Sequence, residues 1–201
     1  MTAVPRVIPL SGERIGVVGA GATGRAIAAA FARAGARVAV FDPDPDGLAV
    51  VSYRVALDLD AIGADPAAAA NLIPVDTVAA AATADLVFEA APEEPGLKRR
   101  LCAQLGLLAR AEAIVVSVSK SLGLAEVVAD SPRPGRLLAI HWWEANAGEG
   151  LVEVIEGEET EPAAAERLIR LLEATGKTTI RLGPEVHRVT GDRLVPSRGK
   201  E

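Results

Sequence analysis

The feature that most constrains the fold is a glycine pattern placed between a short apolar run and a segment of helical composition. Gly19-Ala20-Gly21-Ala22-Thr23-Gly24 follows the apolar run Arg14–Val18 and opens the helical segment 26–34. A second apolar run, Arg37–Phe41, comes after Gly35. In such a strand–helix–strand unit the glycines permit a tight turn, close approach of a pyrophosphate and close packing of helix on strand. The pattern predicts a dinucleotide-binding loop at a helix N-terminus.

Asp42, at the end of the second apolar run, indicates which dinucleotide this loop binds. A carboxylate at this point can hold the adenosine ribose hydroxyls and repels a 2′-phosphate. The following Pro43-Asp44-Pro45-Asp46 offers no Arg or Lys to bind such a phosphate. The sequence therefore predicts NAD rather than NADP. The structural alternatives are a glycine-rich turn without a ligand and an aspartate that only caps a turn.

The remaining pattern alternates short apolar runs with helical segments, which is typical of an α/β, Rossmann-type, doubly wound and mainly parallel sheet with helices on both faces. Further strands are predicted at 85–89, 113–117, 137–141, 151–155 and 178–182, and helices at 95–109, 123–129 and 162–175. Residues 47–82 are predicted to form two or three helices separated by Gly63, Pro66 and Pro74. We expect an N-terminal tail over 1–13, the dinucleotide-binding domain over 14–183 and a C-terminal tail over 184–201.

Composition limits the partners and the compartment. A chain of 201 residues, half of them apolar, suffices for one core, and a net charge of −6 argues against nucleic acid. No apolar run is long enough for a membrane span, and the N-terminus lacks a signal core. The single cysteine, Cys102, cannot form an intramolecular disulfide. We expect a cytoplasmic protein without a metal site.

His141 and Glu153, twelve residues apart, form the first candidate catalytic pair. His141 ends the apolar run that begins at Leu137, and Glu153 lies in Leu151-Val152-Glu153-Val154-Ile155. A carboxylate that orients a histidine fixes its tautomer and stabilises its imidazolium form, which makes the ring a general base. The structural alternative is a core histidine whose polar atoms are satisfied by a neighbouring acid.

These motifs resemble the NAD-binding domain of the 3-hydroxyacyl-CoA dehydrogenase family, from Arg14 to about Leu182. His141-Trp142-Trp143 is similar to the family's His-Phe-Phe, and 151–155 to its Leu-Val-Glu-Val-Ile. The resemblance implies that His141 takes the substrate hydroxyl proton while Glu153 orients it. It also implies that Glu93, Lys98 and Ser117 contact the cofactor, the first two at the nicotinamide ribose. An exposed, acidic helix start is the structural alternative for Glu93 and Lys98.

Two motifs depart from the family pattern beside the predicted base. Ser117-Val118-Ser119-Lys120-Ser121 replaces the family's Ser-Asn-Thr-Ser-Ser, so Lys120 stands at the position of a substrate-contacting serine. Glu144 replaces the asparagine after His-Phe-Phe and favours the protonated form of His141. By this comparison Ser119, Lys120 and Glu144 contact the substrate. In one interpretation Lys120 and Glu144 form an ion pair in which the lysine offsets the added negative charge near His141. In the other they are solvated residues that have diverged from the family without a functional role.

The substrate handle and the partners are less constrained. Between Asp42 and Leu86 the only basic residue is Arg54, which offers little to the phosphates of CoA. A carrier-protein thioester and a free hydroxy acid therefore stay open beside a CoA thioester. The segment 191–196 resembles the start of the family's helical second domain, and we expect the rest of that domain to be absent. We expect a homo-oligomer or a partner subunit to complete the substrate pocket.

Three functions are compatible with these residues. The first is an NAD-dependent oxidoreductase that acts on a 3-hydroxyacyl or related β-hydroxy substrate, favoured by the His141–Glu153 spacing. The second is a nucleotide-binding module without turnover, or a subunit that needs a partner, favoured by the altered positions and the expected absence of the second domain. The third is a different Rossmann enzyme in which Lys120 is catalytic and His141 is dispensable.

Overall fold

The computed structural model describes residues 7–120, 124–143, 150–183, 186–190 and 193–196. The strands are β1 (Arg14–Val18), β2 (Arg37–Phe41), β3 (Leu72–Pro74), β4 (Leu86–Glu89), β5 (Ile114–Val118), β6 (Leu137–Trp142), β7 (Leu151–Ile155), β8 (Thr178–Leu182), β9 (Val186–Thr190) and β10 (Arg193–Pro196). The helices are α1 (Ala22–Arg33), α2 (Pro45–Ala49), α3 (Val51–Ala61), α4 (Val78–Ala81), α5 (Pro95–Leu108), α6 (Leu124–Val128) and α7 (Pro162–Ala174). Short 3₁₀ helices cover Pro66–Asn71 and Pro134–Arg136.

Eight strands form one sheet in the order β3-β2-β1-β4-β5-β6-β7-β8. Every neighbouring pair in it is parallel except β6 and β7, which are antiparallel. The chain starts at β1 in the middle, builds outward to β3, and returns to β4 on the other side of β1. This reversal of strand order makes a crevice at the carboxyl ends of β1 and β4, where open α/β sheets bind ligands. The predicted Rossmann-type, mainly parallel fold is confirmed.

The two faces of the sheet carry separate apolar cores. On one face the core joins α1, α3 and α7 to the sheet, through buried side chains such as Ile27, Phe31, Val55, Leu59, Leu168 and Leu172. On the other face it joins α4, α5 and α6, through Ala81, Cys102, Leu105 and Val127. Both faces of the inner strands are therefore buried, which is why these strands are continuously apolar in the sequence.

The prediction for residues 47–82 was wrong in one respect, because this segment is not entirely helical. Leu72–Pro74 forms β3, which pairs with β2 in parallel at the sheet edge. The strand is only three residues long and ends in proline. Its proline lacks an N–H to donate, and such a residue is tolerated at an edge strand. A segment so short, next to an alanine-rich run, carries no alternating pattern that would predict a strand.

Beyond β8 the backbone forms a second, two-stranded antiparallel sheet from β9 and β10. These strands lie in the segment expected to be a tail. Among the described helices, none has the length and apolar character that crossing a membrane requires.

Candidate active site

The glycine loop connects β1 to α1 and has the geometry that its sequence predicts. Gly19 has a φ of +106°, a backbone conformation that residues other than glycine rarely adopt. A Cβ on Gly24 would lie 1.8 Å from the Gly19 carbonyl oxygen, so only glycine allows α1 to pack this closely on the loop. A Cβ on Gly21 would meet no atom within 4 Å and would project into open space. The loop therefore leaves room for a ligand beside Gly21, at the amino end of α1.

Asp42, directly after β2, links the second strand to this loop. Its Oδ2 accepts a hydrogen bond from the Ala20 backbone N–H at 2.6 Å, and its Oδ1 accepts one from the Asp44 N–H at 2.9 Å. A carboxylate has about four acceptor positions, so two remain for ribose hydroxyls. The sequence indicated the ribose contact but not this bond across the loop mouth.

The antiparallel pairing of β6 with β7 brings His141 and Glu153 into direct register. His141 Nδ1 lies 2.9 Å from Glu153 Oε2, and both side chains are almost completely buried, 3% and 1% exposed. His141 Nε2 is also buried, and it has no hydrogen-bond partner among the residues that the structure describes. The ring is thus held at one nitrogen by a carboxylate, while the other nitrogen is left to accept a proton.

Glu93 connects two strand ends on the same edge of the sheet. Its Oε1 accepts hydrogen bonds from the Ser119 hydroxyl and, at 3.0 Å, from the Lys120 backbone N–H. The Ser119 N–H donates to the Ile140 carbonyl, one residue before His141, at 3.0 Å. Glu93, Ser119 and Lys120, predicted from separate motifs, therefore lie together next to the strand that carries His141. The Lys120 side chain is exposed.

Lys98 and Ser117 lie below these residues in a buried polar cluster. The Lys98 ammonium contacts both carboxylate oxygens of Glu89 at 3.2 Å and donates to the Val118 carbonyl at 2.6 Å. The Ser117 hydroxyl donates to Glu89 Oε2 at 2.8 Å. All three polar side chains are fully buried. Lys98, expected at the nicotinamide ribose, therefore has its ammonium engaged inside the protein rather than in the cleft.

Glu89 is the residue of this cluster that the sequence analysis did not select as a site residue. Burial raises the pKa of its carboxyl, and the Lys98 ammonium, the Ser117 hydroxyl and the Ala91 N–H work in the opposite direction. The sequence signal that could have indicated this pair is a charged residue at the end of an apolar strand, followed by a lysine in the first turn of the next helix.

A cleft of about 620 Å³ joins these parts at the carboxyl edge of the sheet. Its lining comes from Val18, Gly19 and Gly21–Thr23 at the glycine loop, the Phe41–Pro43 end of β2, the segment Ala90–Glu93, Leu97, Leu101, Val118–Lys120 and Trp142. Asp42 stands at one end of this lining, and Glu93 and Lys120 stand at the other. The lining passes from the β2 end to the β5 end across the glycine loop, which is the course that an extended dinucleotide follows in such folds.

The two tryptophans after His141 point to different surroundings. Trp142 is buried at the cleft wall, where the Lys177 ammonium lies 4.6 Å from its ring centroid. Trp143 is 48% exposed, and its ring meets that of His141 edge-on at a centroid distance of 6.4 Å. Glu144, predicted to contact the substrate, lies outside the described residues.

These features are typical of a dinucleotide-dependent α/β domain of the dehydrogenase type: a glycine loop where the strand order reverses, an acidic residue after β2, and a histidine–carboxylate pair beside the cleft. Comparison with known proteins agrees with this class and identifies the family. Residues 14–186 match the 3-hydroxyacyl-CoA dehydrogenase, NAD binding domain. The chain belongs to this family, and the match confirms NAD as the predicted cofactor.

Individual relatives share this domain at moderate identity. L-carnitine dehydrogenase from Nocardiopsis dassonvillei is 32% identical over 100% of this chain and 63% of its own length. 3-Hydroxybutyryl-CoA dehydrogenase from Bradyrhizobium diazoefficiens is 30% identical over 82% of this chain and 59% of its own length. The crystal structure of (S)-3-hydroxybutyryl-CoA dehydrogenase from Ralstonia eutropha superposes with a TM-score of 0.82 at 26% identity, covering 89% of this chain and 66% of that one. The chain spans less than two thirds of the length of these relatives.

Proposed function

We propose that this chain is the cofactor-binding and proton-transferring part of an NAD-dependent oxidoreductase that acts on a β-hydroxy substrate. The observation that carries the proposal is the His141–Glu153 pair, joined at 2.9 Å, with the second ring nitrogen unpartnered in the described part of the chain. A buried nitrogen without a partner costs free energy, which a substrate hydroxyl would recover.

The cleft fits an extended NAD molecule in one direction. The open space beside Gly21 and the amino end of α1 suit the pyrophosphate. Asp42 lies on the adenosine side, where its free lone pairs suit the ribose hydroxyls. The nicotinamide half then extends toward Glu93 and Lys120, at the ends of β4 and β5. Asp42 and the neighbouring Asp44 disfavour a 2′-phosphate, which supports NAD over NADP.

In the oxidation direction His141 Nε2 accepts the proton of the substrate hydroxyl as the C–O double bond forms. Bound NAD supplies the hydride acceptor for the hydrogen on the same carbon. The Glu153 carboxylate stabilises the imidazolium that results, and it keeps Nε2 directed away from β7. In the reduction direction the same imidazolium returns the proton to the carbonyl oxygen.

The substrate is proposed to be a small β-hydroxy acid or its thioester. Two relatives are an L-carnitine and a 3-hydroxybutyryl-CoA dehydrogenase, so both kinds of handle occur among similar proteins. The exposed Lys120 at the cleft suits a free carboxylate, and the exposed ring of Trp143 beside His141 suits a cationic or apolar group. The cofactor-binding domain is proposed to cover residues 14–183. A partner subunit or a further domain is proposed to cover the substrate. The proposed compartment is the cytoplasm.

The test is NADH formation from NAD with L-carnitine, free 3-hydroxybutyrate and 3-hydroxybutyryl-CoA, each repeated with NADP. We expect turnover with NAD on at least one substrate, and a loss of about 10²- to 10⁴-fold in kcat in His141→Ala with NADH binding retained. Turnover that survives His141→Ala but not Lys120→Ala would contradict the proposal and favour a lysine-dependent Rossmann enzyme. NAD binding without turnover on any of them would favour a binding module that needs a partner.

A further inference from the structure

The buried cluster around Glu89 lies between the two strand ends that flank the nicotinamide side of the cleft. Glu89 is the last residue of β4, and Ser117 is its direct partner in β5. Lys98 reaches them from the first turn of α5. The three polar side chains have no exposed surface, so none of them can touch a ligand in the cleft without a rearrangement.

Every strong donor and acceptor of the pair is used within the protein. The three N–H groups of the Lys98 ammonium face three acceptors, namely the two Glu89 oxygens and the Val118 carbonyl. Glu89 Oε1 also accepts the Ala91 N–H at 2.8 Å. A buried ion pair is rarely more stable than an apolar replacement of similar volume, because both charges lose their hydration. Stability alone therefore gives no reason for an ion pair at this place.

What the pair holds is the backbone of the cleft wall. The Ala91 N–H bond anchors the segment Ala90–Glu93, and the Val118 carbonyl bond anchors the end of β5; both segments line the cleft. Glu93 then joins the same two segments from above through the Ser119 hydroxyl and the Lys120 N–H. The two connections, one buried and one at the surface, fix the distance between the β4 and β5 ends.

We propose that Glu89 and Lys98 are positioning residues for the nicotinamide half of NAD, acting through the Ala91 N–H and the Val118 carbonyl without touching the cofactor. This inference rests on the proposed function, since it takes the nicotinamide to lie between the β4 and β5 ends. The resemblance predicted that Lys98 contacts the nicotinamide ribose directly. In the present inference the backbone that Lys98 holds makes the contact with the cofactor instead.

The decisive variant is the double replacement Glu89→Met and Lys98→Met, which removes the backbone anchors without leaving an unpaired buried charge. Binding is measured for NADH, by its fluorescence, and for ADP, which occupies only the adenosine and diphosphate half of the site. We expect the double variant to keep the ADP affinity of the wild type and to lose about ten- to a hundredfold in NADH affinity. The shift of the bound nicotinamide emission should also decrease.

The matched control is Asp85→Asn. This variant removes an ion pair with Arg14 just before β4, at the end of the strand opposite to Glu89, and should leave both affinities unchanged. Wild-type NADH affinity in the double variant would overturn the inference, as would an equal loss of NADH and ADP affinity. A loss in Lys98→Met with full NADH affinity in Glu89→Met would also overturn it, in favour of direct contact by Lys98. A wild-type protein that binds neither ligand would instead contradict the proposed function.

Discussion

The two nitrogens of His141 have opposite environments, and this asymmetry is what makes the residue a candidate base. Nδ1 is paired with a carboxylate in the neighbouring strand, and Nε2 is buried without a partner among the described residues. A core histidine that served packing alone would be expected to satisfy both nitrogens. The contact supports the interpretation made from the sequence spacing, and the catalytic role stays a proposal until kinetics test it.

Glu153→Gln should separate orientation from charge at this pair. The amide keeps the shape and one hydrogen bond, but it cannot stabilise an imidazolium, so kcat should fall by about 10²- to 10⁴-fold. NADH binding should be unchanged, because Glu153 does not line the cleft. Steady-state kinetics and an NADH titration measure the two effects. Glu156→Gln, just after β7, is the control, and an unaltered kcat in Glu153→Gln would contradict the proposed role.

Cys102 allows a prediction about pH. Burial, with a smaller contribution from the Glu89 charge, raises the pKa of its thiol from 9.0 to about 12. A group whose pKa is raised by folding contributes stability that is complete below its unfolded pKa and is lost as pH rises toward its folded pKa. The loss of unfolding free energy between pH 9.0 and 12 should therefore be smaller in Cys102→Ala.

Denaturant unfolding of wild type and Cys102→Ala across this pH range measures the effect. Well below pH 9.0 the difference between the two proteins should be constant, since the thiol is then neutral in both the folded and the unfolded state. The thiol should also resist alkylation in the folded protein and react only on unfolding. Equal pH dependence of the two proteins would contradict the prediction.

At the scale of elements, the glycine loop separates a folding requirement from a binding requirement. Gly24 is enclosed by the Gly19 carbonyl, whereas Gly21 faces open space in the cleft. Substitutions at Gly24 and Gly21 therefore allow the effect on stability to be compared with the effect on binding within a single loop.

Gly24→Ala should lower the free energy of unfolding by about 3 kcal/mol, because the new methyl group overlaps a backbone oxygen that cannot move alone. Gly21→Ala should keep wild-type stability and lose about tenfold or more in NADH affinity, because its methyl group occupies the space proposed for the pyrophosphate. Thermal unfolding and NADH titration of both variants distinguish the effects. Full NADH affinity in Gly21→Ala would contradict the proposed course of the cofactor.

Elements with a strong local pattern could be predicted from the sequence, and those fixed by distant contacts could not. The strand–loop–helix unit at 14–33 has its own periodicity and glycine spacing, which is why it was predicted. β3 exists only because β2 offers a parallel edge, a contact far away in sequence. The Lys98 interaction depends in the same way on Glu89 and on the end of β5, so its burial was not apparent in an acidic-then-basic helix start.

At the scale of the whole molecule, the candidate site is a product of topology. The parallel strands place the glycine loop, Asp42, Glu93 and Lys120 on one edge of the eight-stranded sheet. The antiparallel pairing of β6 with β7 within that sheet places Glu153 opposite His141. Motif spacing indicated the members of the site, whereas the buried connection between the β4 and β5 ends needed three-dimensional contacts to be found.

The measurement that tests the central claim most directly is a titration with NADH and NADPH, followed by energy transfer from tryptophan to the nicotinamide. Trp142 lines the cleft and Trp143 contacts His141, and they are the only tryptophans of the chain. The account predicts saturable transfer to NADH, with NADPH binding about tenfold or more weaker because Asp42 repels its 2′-phosphate. Absence of transfer to NADH, or equal affinity for the two cofactors, would contradict it.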